Sequence, residues 1–423
     1  MLTAVAGINW GDEGKGRMVD MFADDYDIIC RYQGGNNAGH TVVSDRGKFV
    51  FNLLPSGILH SGVVNVMGGG MVIDLEHLCG EINSLTARGV RLTPDNLKIS
   101  SNAFICMPYH RMQDVLEEDR LGDNKYGSTR RGIAPVYGDK YMKKGMRMGD
   151  LLDKPSLEKK LMAMLQWKNL TLCGYGAHAA QVAESMKWIE KHSPQLIEFI
   201  FETSEYMYDA AVAGKSILFE AQLGALRDID YGIYPYTTSS QTLAGYAPIG
   251  AGIPGSKLDL VIGVMKAYSS CVGEGPFTAE LSGKEGNELR NAGTEFGAAT
   301  GRARRVGGFD VPASLYGVRI QGADEIALTK LDVLSSLDRI PVCVAYEIDG
   351  IKTCKFPTDS SLLRAKPVYE YMDGFKADIS RCRCAEELPA AAMRYVRFLE
   401  EAVNCPIKYV SVGPKREDYI TLA

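Results

Sequence analysis

Residues 2–22 read LTAVAGINWGDEGKGRMVDMF, and they set the fold class of the chain. The apolar run at the start predicts a buried strand, and the residues after Gly16 begin a helix. A strand, a glycine-rich turn containing Lys15 and a helix form the arrangement that cradles phosphate groups, since glycine N–H groups can approach oxygens closely. The turn departs from the standard P-loop, because Asn9 takes the place of its first glycine and Gly16 that of its Ser or Thr.

Two polar loops near the N-terminus carry candidate chemistry. Asp12 lies within the first turn, and a carboxylate among phosphates attracts Mg²⁺ or acts as a base. The alternative is an ordinary glycine-rich turn with a surface lysine. The second loop, Gly34-Gly-Asn-Asn-Ala-Gly-His-Thr41, follows an apolar run. His40 stands there between Gly39 and Thr41, which favours a ligand-facing histidine over one in the core.

Strand-like and helical patterns alternate along the chain and predict an α/β fold. Helical spacing appears in Ala179–His192 and in Glu386–Val403. We therefore predict a large, mostly parallel central sheet flanked by helices, with ligands at the carboxyl ends of its strands. Residues 100–215 are predicted to be a largely helical insertion, and residues 1–423 a single domain. The predicted strands are Leu2–Ile8, Val63–Met67, Ile217–Glu220, Leu258–Val264, Ile326–Asp332, Val342–Ile348 and Ile407–Val412.

Composition excludes several classes of function. The 423 residues have a formal net charge of −5, so no basic field indicates a nucleic-acid partner. No apolar run approaches the roughly 18 residues of a membrane span, and no leader peptide is recognisable, so we expect a cytoplasmic protein without a membrane partner. The ten cysteines lack the paired spacings of a zinc site. The 45 glycines exceed the usual share and indicate backbone that approaches ligands closely.

The two loops resemble those of the adenylosuccinate synthetase family, GTP-dependent ligases of purine synthesis. The resemblance implies a P-loop-like GTP-binding fold with helical insertions. It also implies that IMP and L-aspartate are joined through 6-phosphoryl-IMP to give adenylosuccinate, GDP and phosphate, with Mg²⁺ as cofactor. A homodimer that shares its site between subunits is implied as well. Further matching motifs follow in order at 127–140, 219–230, 234–240, 272–277, 295–305, 328–332 and 411–414.

The resemblance assigns roles residue by residue. Asp12 and His40 would be catalytic, with Asp12 as the base that takes the N1 proton of IMP, and Asp12 and the Gly39 carbonyl would bind Mg²⁺. The implied GTP-binding residues are Gly11, Asp12, Glu13, Gly14, Lys15, Gly16, Arg17, Gly39, His40, Thr41, Arg304, Lys330, Leu331, Asp332, Ser411, Val412 and Gly413. The implied IMP-binding residues are Asp12, Glu13, Gly14, Lys15, Asn37, Ala38, Gly39, His40, Thr129, Lys143, Gln222, Thr238 and Arg302. The implied aspartate-binding residues are Ala298, Ala299, Thr300, Gly301, Arg302 and Arg304.

Several positions depart from the family pattern. The family motif Phe-Glu-Gly-Ala-Gln-Gly reads here Phe219-Glu-Ala-Gln-Leu-Gly224, so the expected glutamine has moved one place. An ungapped match puts Leu223 at the IMP site, whereas a shifted turn would place Gln222 there. Lys143 replaces an arginine that reaches the neighbouring subunit's IMP phosphate, which keeps the charge but loses the fork. Other departures are Arg130, Cys271, Ala299 and Gly308.

These departures surround the IMP and aspartate sites and leave other functions open. One alternative is a paralogous GTP-dependent ligase that acts on a related 6-oxopurine nucleotide or a different amine. A GTP-binding regulator without turnover is a further alternative, against which the retained Asp12 and His40 argue. Taken without the resemblance, Asp332 could merely end a strand, and the arginines at 302–305 could be a solvated surface loop.

Overall fold

The computed structural model describes residues 1–44, 47–296 and 303–422. The strands are β1 (Leu2–Gly7), β2 (Ile28–Arg31), β3 (His40–Ser44), β4 (Gly47–Phe51), β5 (Val64–Met67), β6 (Val72–Ile73), β7 (Leu97–Ser100), β8 (Phe104–Ile105), β9 (Ile200–Phe201), β10 (Ile217–Gly224), β11 (Leu260–Lys266), β12 (Ser269–Cys271), β13 (Arg305–Gly307), β14 (Phe309–Asp310), β15 (Glu325–Thr329), β16 (Arg339–Ile348), β17 (Ile351–Thr353), β18 (Lys366–Asp373), β19 (Ile407–Ser411) and β20 (Tyr419–Thr421).

Helices alternate with these strands along most of the chain. They are α1 (Lys15–Phe22), α2 (Leu75–Ala87), α3 (Pro108–Leu121), α4 (Ile133–Tyr141), α5 (Lys154–Gly174), α6 (Val182–His192), α7 (Thr203–Val212), α8 (Ala247–Ala251), α9 (Gly283–Gly293), α10 (Val311–Gln321) and α11 (Ala390–Val403). Residues 100–215 carry α3 to α7 with two short strands, β8 and β9. That the whole chain is a single domain stays a prediction.

A ten-stranded sheet forms the centre of the described chain, in the order β20-β19-β15-β11-β1-β10-β2-β5-β7-β9. All neighbouring pairs are parallel except β19 and β20. Val5 and Ala6 point to opposite faces and are both fully buried, because helices cover both faces. On one face Met18 and Val19 of α1 pack against Val5, and on the other Met207 of α7 packs in the cluster that contains Ala6. The predicted α/β class with a mostly parallel central sheet is confirmed.

Four sequence predictions need correction, among them the helix predicted from Ala179, which begins at Val182. The run Val342–Ile348 lies in β16, which belongs to a separate sheet and pairs antiparallel with β17 and β18. The run Ile326–Asp332 ends as a strand at Thr329, because Lys330 adopts a left-handed backbone with φ of 60° that breaks the ladder. The helix predicted from Glu386 begins at Ala390, after Pro389 at its N-cap.

The central sheet brings the predicted motifs to one edge. Because parallel neighbours end on the same side, the segments after β1, β2, β10, β11, β15 and β19 lie together. Most of the predicted site residues fall in these segments. Among the described residues, no helix has both the length and the apolar character needed to span a bilayer.

Candidate functional site

The turn between β1 and α1 is shaped by two glycines and one buried carboxylate. Gly11 and Gly14 have φ of 121° and 95°, values that other residues rarely adopt. Gly14 caps the N-terminus of α1. The carboxylate of Glu13 accepts the N–H of Gly11 at 2.7 Å and that of Asn9 at 3.1 Å, so it holds the turn from within. The glycine-rich turn therefore ends at a helix N-terminus, a position that suits an anion.

Lys15 is engaged inside this turn. Its ammonium lies 2.8 Å from the Glu13 carboxylate and donates to the Gly11 carbonyl at 3.0 Å, and its side chain is 1% exposed. The resemblance predicted Lys15 against phosphate oxygens. The structure instead shows the Lys15 ammonium paired with the Glu13 carboxylate. Its contact with a phosphate stays a prediction, and that contact would require the ammonium to give up its bond to Glu13 or to the Gly11 carbonyl.

Asp12 lies at the mouth of the turn, beside Arg304, which directly precedes β13 in the chain. Its carboxylate is 3.3 Å from Nε of Arg304, and its side chain is 31% exposed. Arg304 also donates through Nη1 to Glu295 at 2.7 Å. Burial alone would lower the pKa of Arg304, but Asp12 and Glu295 raise it. The two predicted substrate-binding residues, Asp12 and Arg304, are thus in contact.

Glu295 is the centre of a buried charge cluster behind Arg304. Its fully buried carboxylate accepts Lys266 Nζ at 2.9 Å and the hydroxyl of Tyr268, and Lys330 Nζ lies 3.7 Å away. Burial would raise the pKa of Glu295, yet Lys266, Lys330 and Arg304 bring it far below its usual range. The cluster connects the arginine beside Asp12 to the lysine beside Asp332.

His40 is buried against α1 rather than free in its loop. A side chain at Gly16 would collide with the Cβ of His40, so the histidine lies directly on the first turn of α1. Its Nδ1 hydrogen-bonds to the carboxylate of Glu220, the acid that follows Phe219 in β10. Burial lowers the pKa of His40, while Glu220 acts in the opposite direction. His40, predicted to face a ligand, therefore lies beside the turn between β1 and α1, and one of its ring nitrogens is held by a carboxylate.

The structure places Gln222, not Leu223, at the second loop. The amide of Gln222 donates to the Gly35 carbonyl at 2.8 Å and to Asn37 Oδ1 at 3.2 Å. Its Oε1 is buried with no hydrogen-bond partner in the described chain. The register between β1 and β10 shifts after Glu220, and Leu223 takes the positive φ of 62° that this irregularity needs. The bulge therefore turns Gln222 to the second loop, and which of the two residues faces IMP stays a prediction.

The residues predicted to bind the base lie where β15 and β19 end side by side. Arg17 of α1 donates to the Ser411 hydroxyl and, at 2.9 Å, to the Asp418 carbonyl. Ser411 in turn donates to the Gly413 carbonyl at 3.1 Å. Asp332 is half-buried near Arg17, and burial raises the pKa of its carboxyl. Lys330, Leu331 and Val412 also belong to the predicted set, and the side chains of Leu331 and Val412 are fully buried.

The residues predicted to bind the IMP phosphate differ in their burial. Thr238 is buried, and its hydroxyl has no hydrogen-bond partner within the described residues. Thr129 is exposed in a loop that reaches the same region, since Tyr126 contacts Tyr236 at 6.2 Å between ring centroids. Lys143 is exposed beyond the end of α4 with φ of 61°, so its predicted contact with a neighbouring subunit stays a prediction.

Most of the predicted aspartate loop lies outside the described residues. This holds for Ala298, Ala299, Thr300, Gly301 and Arg302, so only Arg304 of that set is placed. Among the departures, the Cys271 thiol accepts from Arg227 at 3.0 Å, and Arg130 pairs with Asp119 at 2.8 Å on the surface. Gly308 is packed against the Pro341 carbonyl, where a larger side chain would collide.

Four buried side chains at the site were missing from the predicted set: Ser56, Glu220, Lys266 and Glu295. A signal existed for Glu220, because an acid at the end of an apolar strand needs a partner. Lys266 and Glu295 also border apolar segments, but nothing local indicates that they pair. Ser56 carried no signal, since its role depends on a contact 164 residues away.

The residues at the turn fit Mg²⁺. Asp12 is a partly exposed hard oxygen ligand, and the exposed Gly39 precedes His40 beside the same helix turn. Within the described ranges, no cluster of three or more His, Cys, Asp or Glu forms a cage for an ion. A site with few protein ligands suits Mg²⁺, which takes its other positions from phosphates and water.

Comparisons with known proteins cover nearly the whole chain. A family model described as adenylosuccinate synthetase matches residues 4–420. The adenylosuccinate synthetase of Thermobifida fusca is 45% identical over 421 residues, 99% of this chain and 98% of that protein. The one from Caldanaerobacter subterraneus is 43% identical over 423 residues, 100% of this chain and 99% of that protein.

Two solved structures share the architecture. The fully ligated adenylosuccinate synthetase from Plasmodium falciparum superposes with a TM-score of 0.93 at 35% identity, covering 100% of both chains. The cyanophage S-2L succinoaminodeoxyadenylate synthetase bound to dGMP and dATP has a TM-score of 0.62 at 17% identity, covering 99% of this chain and 94% of that one. The second likeness is one of fold alone.

Proposed function

Because the chain belongs to the adenylosuccinate synthetase family, it is a GTP-dependent ligase, and we propose that it joins IMP and L-aspartate at the carboxyl edge of the central sheet. The observation that carries this proposal is the convergence there of Asp12, His40, Arg304 and Asp332, which are far apart in the sequence. Each would meet a different part of the three substrates.

Activation of the 6-oxygen of IMP is the first chemical problem, because that oxygen is a poor leaving group. We assign Asp12 as the base that takes the N1 proton, so that negative charge moves onto O6. O6 then attacks the γ-phosphorus of GTP and the bond to the β-phosphate oxygen breaks, which gives 6-phosphoryl-IMP and GDP. The partly exposed position of Asp12 supports this role, since a ligand can reach its carboxylate.

His40 and the turn at Gly14 would bind the phosphates. The helix N-terminus and the N–H groups of the turn suit the β- and γ-phosphates, and His40, when protonated at both ring nitrogens, would donate from Nε2 to the oxygen on which charge develops. Asp12 and the Gly39 carbonyl would hold Mg²⁺, which when bound neutralises phosphate charge. Phosphoryl transfer then depends mainly on positioning and electrostatics.

Displacement of the phosphate is the second step. The amine of L-aspartate attacks C6, phosphate leaves, and the lost amine proton goes to solvent or a nearby base. Arg304 is held between Asp12 and Glu295, from which its guanidinium could turn to a substrate carboxylate. Gln222 and Asn37 lie together at the loop predicted to meet IMP, and the unpaired Oε1 of Gln222 supports a ligand contact there.

Selection of GTP would fall to Asp332. A carboxylate can accept both N1–H and the 2-amino group of guanine, which adenine does not offer together. The nearby Ser411–Gly413 segment would close over the base, anchored by Arg17. We further propose a homodimer in which Lys143 reaches the partner's site, and a cytoplasmic location. Sedimentation velocity of the wild type, together with the KM for IMP of Lys143→Ala, would test the shared site.

Purified protein incubated with GTP, Mg²⁺, IMP and L-aspartate tests the main proposal. We expect the ultraviolet absorbance change of adenylosuccinate, with GDP and phosphate formed in equal amounts. Asp12→Asn should abolish this change. GTP turnover only with another 6-oxopurine nucleotide or another amine would instead identify a paralogous ligase, and tight GTP binding without turnover under every pairing would identify a regulator.

A further inference from the structure

The buried carboxylate of Glu220 forms hydrogen bonds with His40 and with Ser56. It accepts from His40 Nδ1, from the backbone N–H of Ser56 at 2.8 Å and from the Ser56 hydroxyl at 2.6 Å. Both Glu220 and Ser56 have no exposed surface. Burial would raise the pKa of Glu220, but His40, Arg31 and Ser56 lower it, so the side chain is a carboxylate. An ionised carboxylate only accepts hydrogen bonds.

This acceptor determines which nitrogen of His40 carries its proton. Since Glu220 has no proton to give, His40 must donate from Nδ1. Nε2 is then the ring nitrogen that faces a ligand, as an acceptor in the neutral ring and as a donor once it takes up a proton. We propose that Glu220, aided by Ser56, is a positioning residue that holds His40 in the Nδ1–H tautomer with Nε2 available at the phosphate turn. The proposal rests on the assigned role of His40.

Three rigid elements restrict the orientation of the ring. Glu220 lies in β10 opposite Arg31 of β2, within the interior of the central sheet. Ser56 begins a short helical turn, Ser56–Leu59, whose residues pack beside α1. Gly16 leaves no space between α1 and the Cβ of His40. A histidine confined in this way needs little reorganisation when a phosphate arrives, which is the usual advantage of a preorganised polar group.

Glu220→Gln tests the proposal, because an amide has one acceptor oxygen for several donors. We expect the His40 ring to populate both tautomers and kcat to fall about 10–100-fold, the usual effect of removing the partner of a functional histidine. The KM values for GTP and IMP should change little, because the variant keeps the pocket. The tautomer is read from imidazole ¹⁵N chemical shifts of histidine-labelled protein, with the His40 signals assigned by their loss in His40→Asn.

Two matched variants separate positioning from general destabilisation. Asp139→Asn breaks a second buried histidine–carboxylate pair, in which His110 Nε2 lies 3.0 Å from Asp139, and it should lower stability without changing kcat. Glu220→Asp keeps the charge and should restore a single tautomer and part of kcat. Wild-type His40 in the Nε2–H tautomer would overturn the proposal even if Glu220→Gln does not fold.

Other outcomes distinguish the inference from the proposed function. A Glu220→Gln variant with one tautomer and wild-type kcat would refute the positioning role alone. Wild-type protein without ligase activity would refute the proposed function, while the tautomer measurement would still decide how Glu220 holds His40.

Discussion

Replacement of Glu295 by glutamine should weaken both the fold and the binding of aspartate. The carboxylate is fully buried, and Lys266 Nζ at 2.9 Å and Arg304 Nη1 at 2.7 Å depend on it. Removing one member of a buried ion pair costs about 3–5 kcal/mol, because the remaining charge is left uncompensated. Glutamine keeps one acceptor oxygen, so we expect a loss of about 3 kcal/mol in the free energy of unfolding.

Urea unfolding at several pH values measures this loss and tests its electrostatic origin. Burial opposes ionisation of Glu295, but Lys266, Lys330 and Arg304 lower its pKa in the folded state. The carboxylate therefore contributes stability that is fully present above its unfolded pKa of about 4.3 and is lost as pH falls toward the folded pKa. The difference between wild type and Glu295→Gln should be largest near neutral pH and shrink below about pH 4.

The same variant should affect catalysis through Arg304. Without the carboxylate, the guanidinium loses its buried anchor, and of its two ion pairs with described residues it retains the one with Asp12. We expect the KM for aspartate to rise more than the KM for IMP. A difference in unfolding free energy below about 0.5 kcal/mol, the usual size for an uninvolved surface site, would refute the reasoning. So would a difference that stays constant down to pH 3.

Three further predictions follow from buried groups and backbone geometry. Burial raises the pKa of Asp310 to about 7, and its carboxyl accepts the Tyr346 hydroxyl, so its contribution to stability is present below its unfolded pKa and is lost as pH rises toward 7. The stability of wild type relative to Asp310→Asn should fall by about 1.4 kcal/mol per pH unit between pH 4 and 7, and a flat difference in urea titrations would contradict this. Gly34→Ala should raise the KM for IMP, because its Cβ would collide with Gln222 Oε1 at a φ of 80°. Gly214→Ala, with φ of 74° and open space around it, should share the backbone strain but leave that KM unchanged. Asp332→Asn should raise the KM for GTP at least tenfold, since hydrogen bonds to a charged group contribute about 1.5–3 kcal/mol each, and an unchanged KM in steady-state assays would remove Asp332 from base recognition.

The sequence predicts those structural features that depend on residues close together in the chain. The turn with Gly11 and Gly14 requires left-handed backbone that glycine supplies, so the phosphate turn was evident from residues 2–22. The buried strands of the central sheet were evident from continuous apolar runs, because both faces of a parallel sheet are covered. The run at Val342–Ile348 shows the limit of that rule, since β16 has the same composition but pairs antiparallel in another sheet.

The sequence alone determined the phosphate turn, the class of fold and the candidate residues Asp12, His40 and Asp332, because each follows from residue types within a short window. Tertiary structure alone decided their partners. His40 meets Glu220 across 180 positions, and whether Gln222 or Leu223 turns to the second loop depends on a bulge against β1. The physical reason is that hydrogen-bond partners and buried charge pairs depend on the order in which strands pair in the sheet. No single segment of the sequence determines that order.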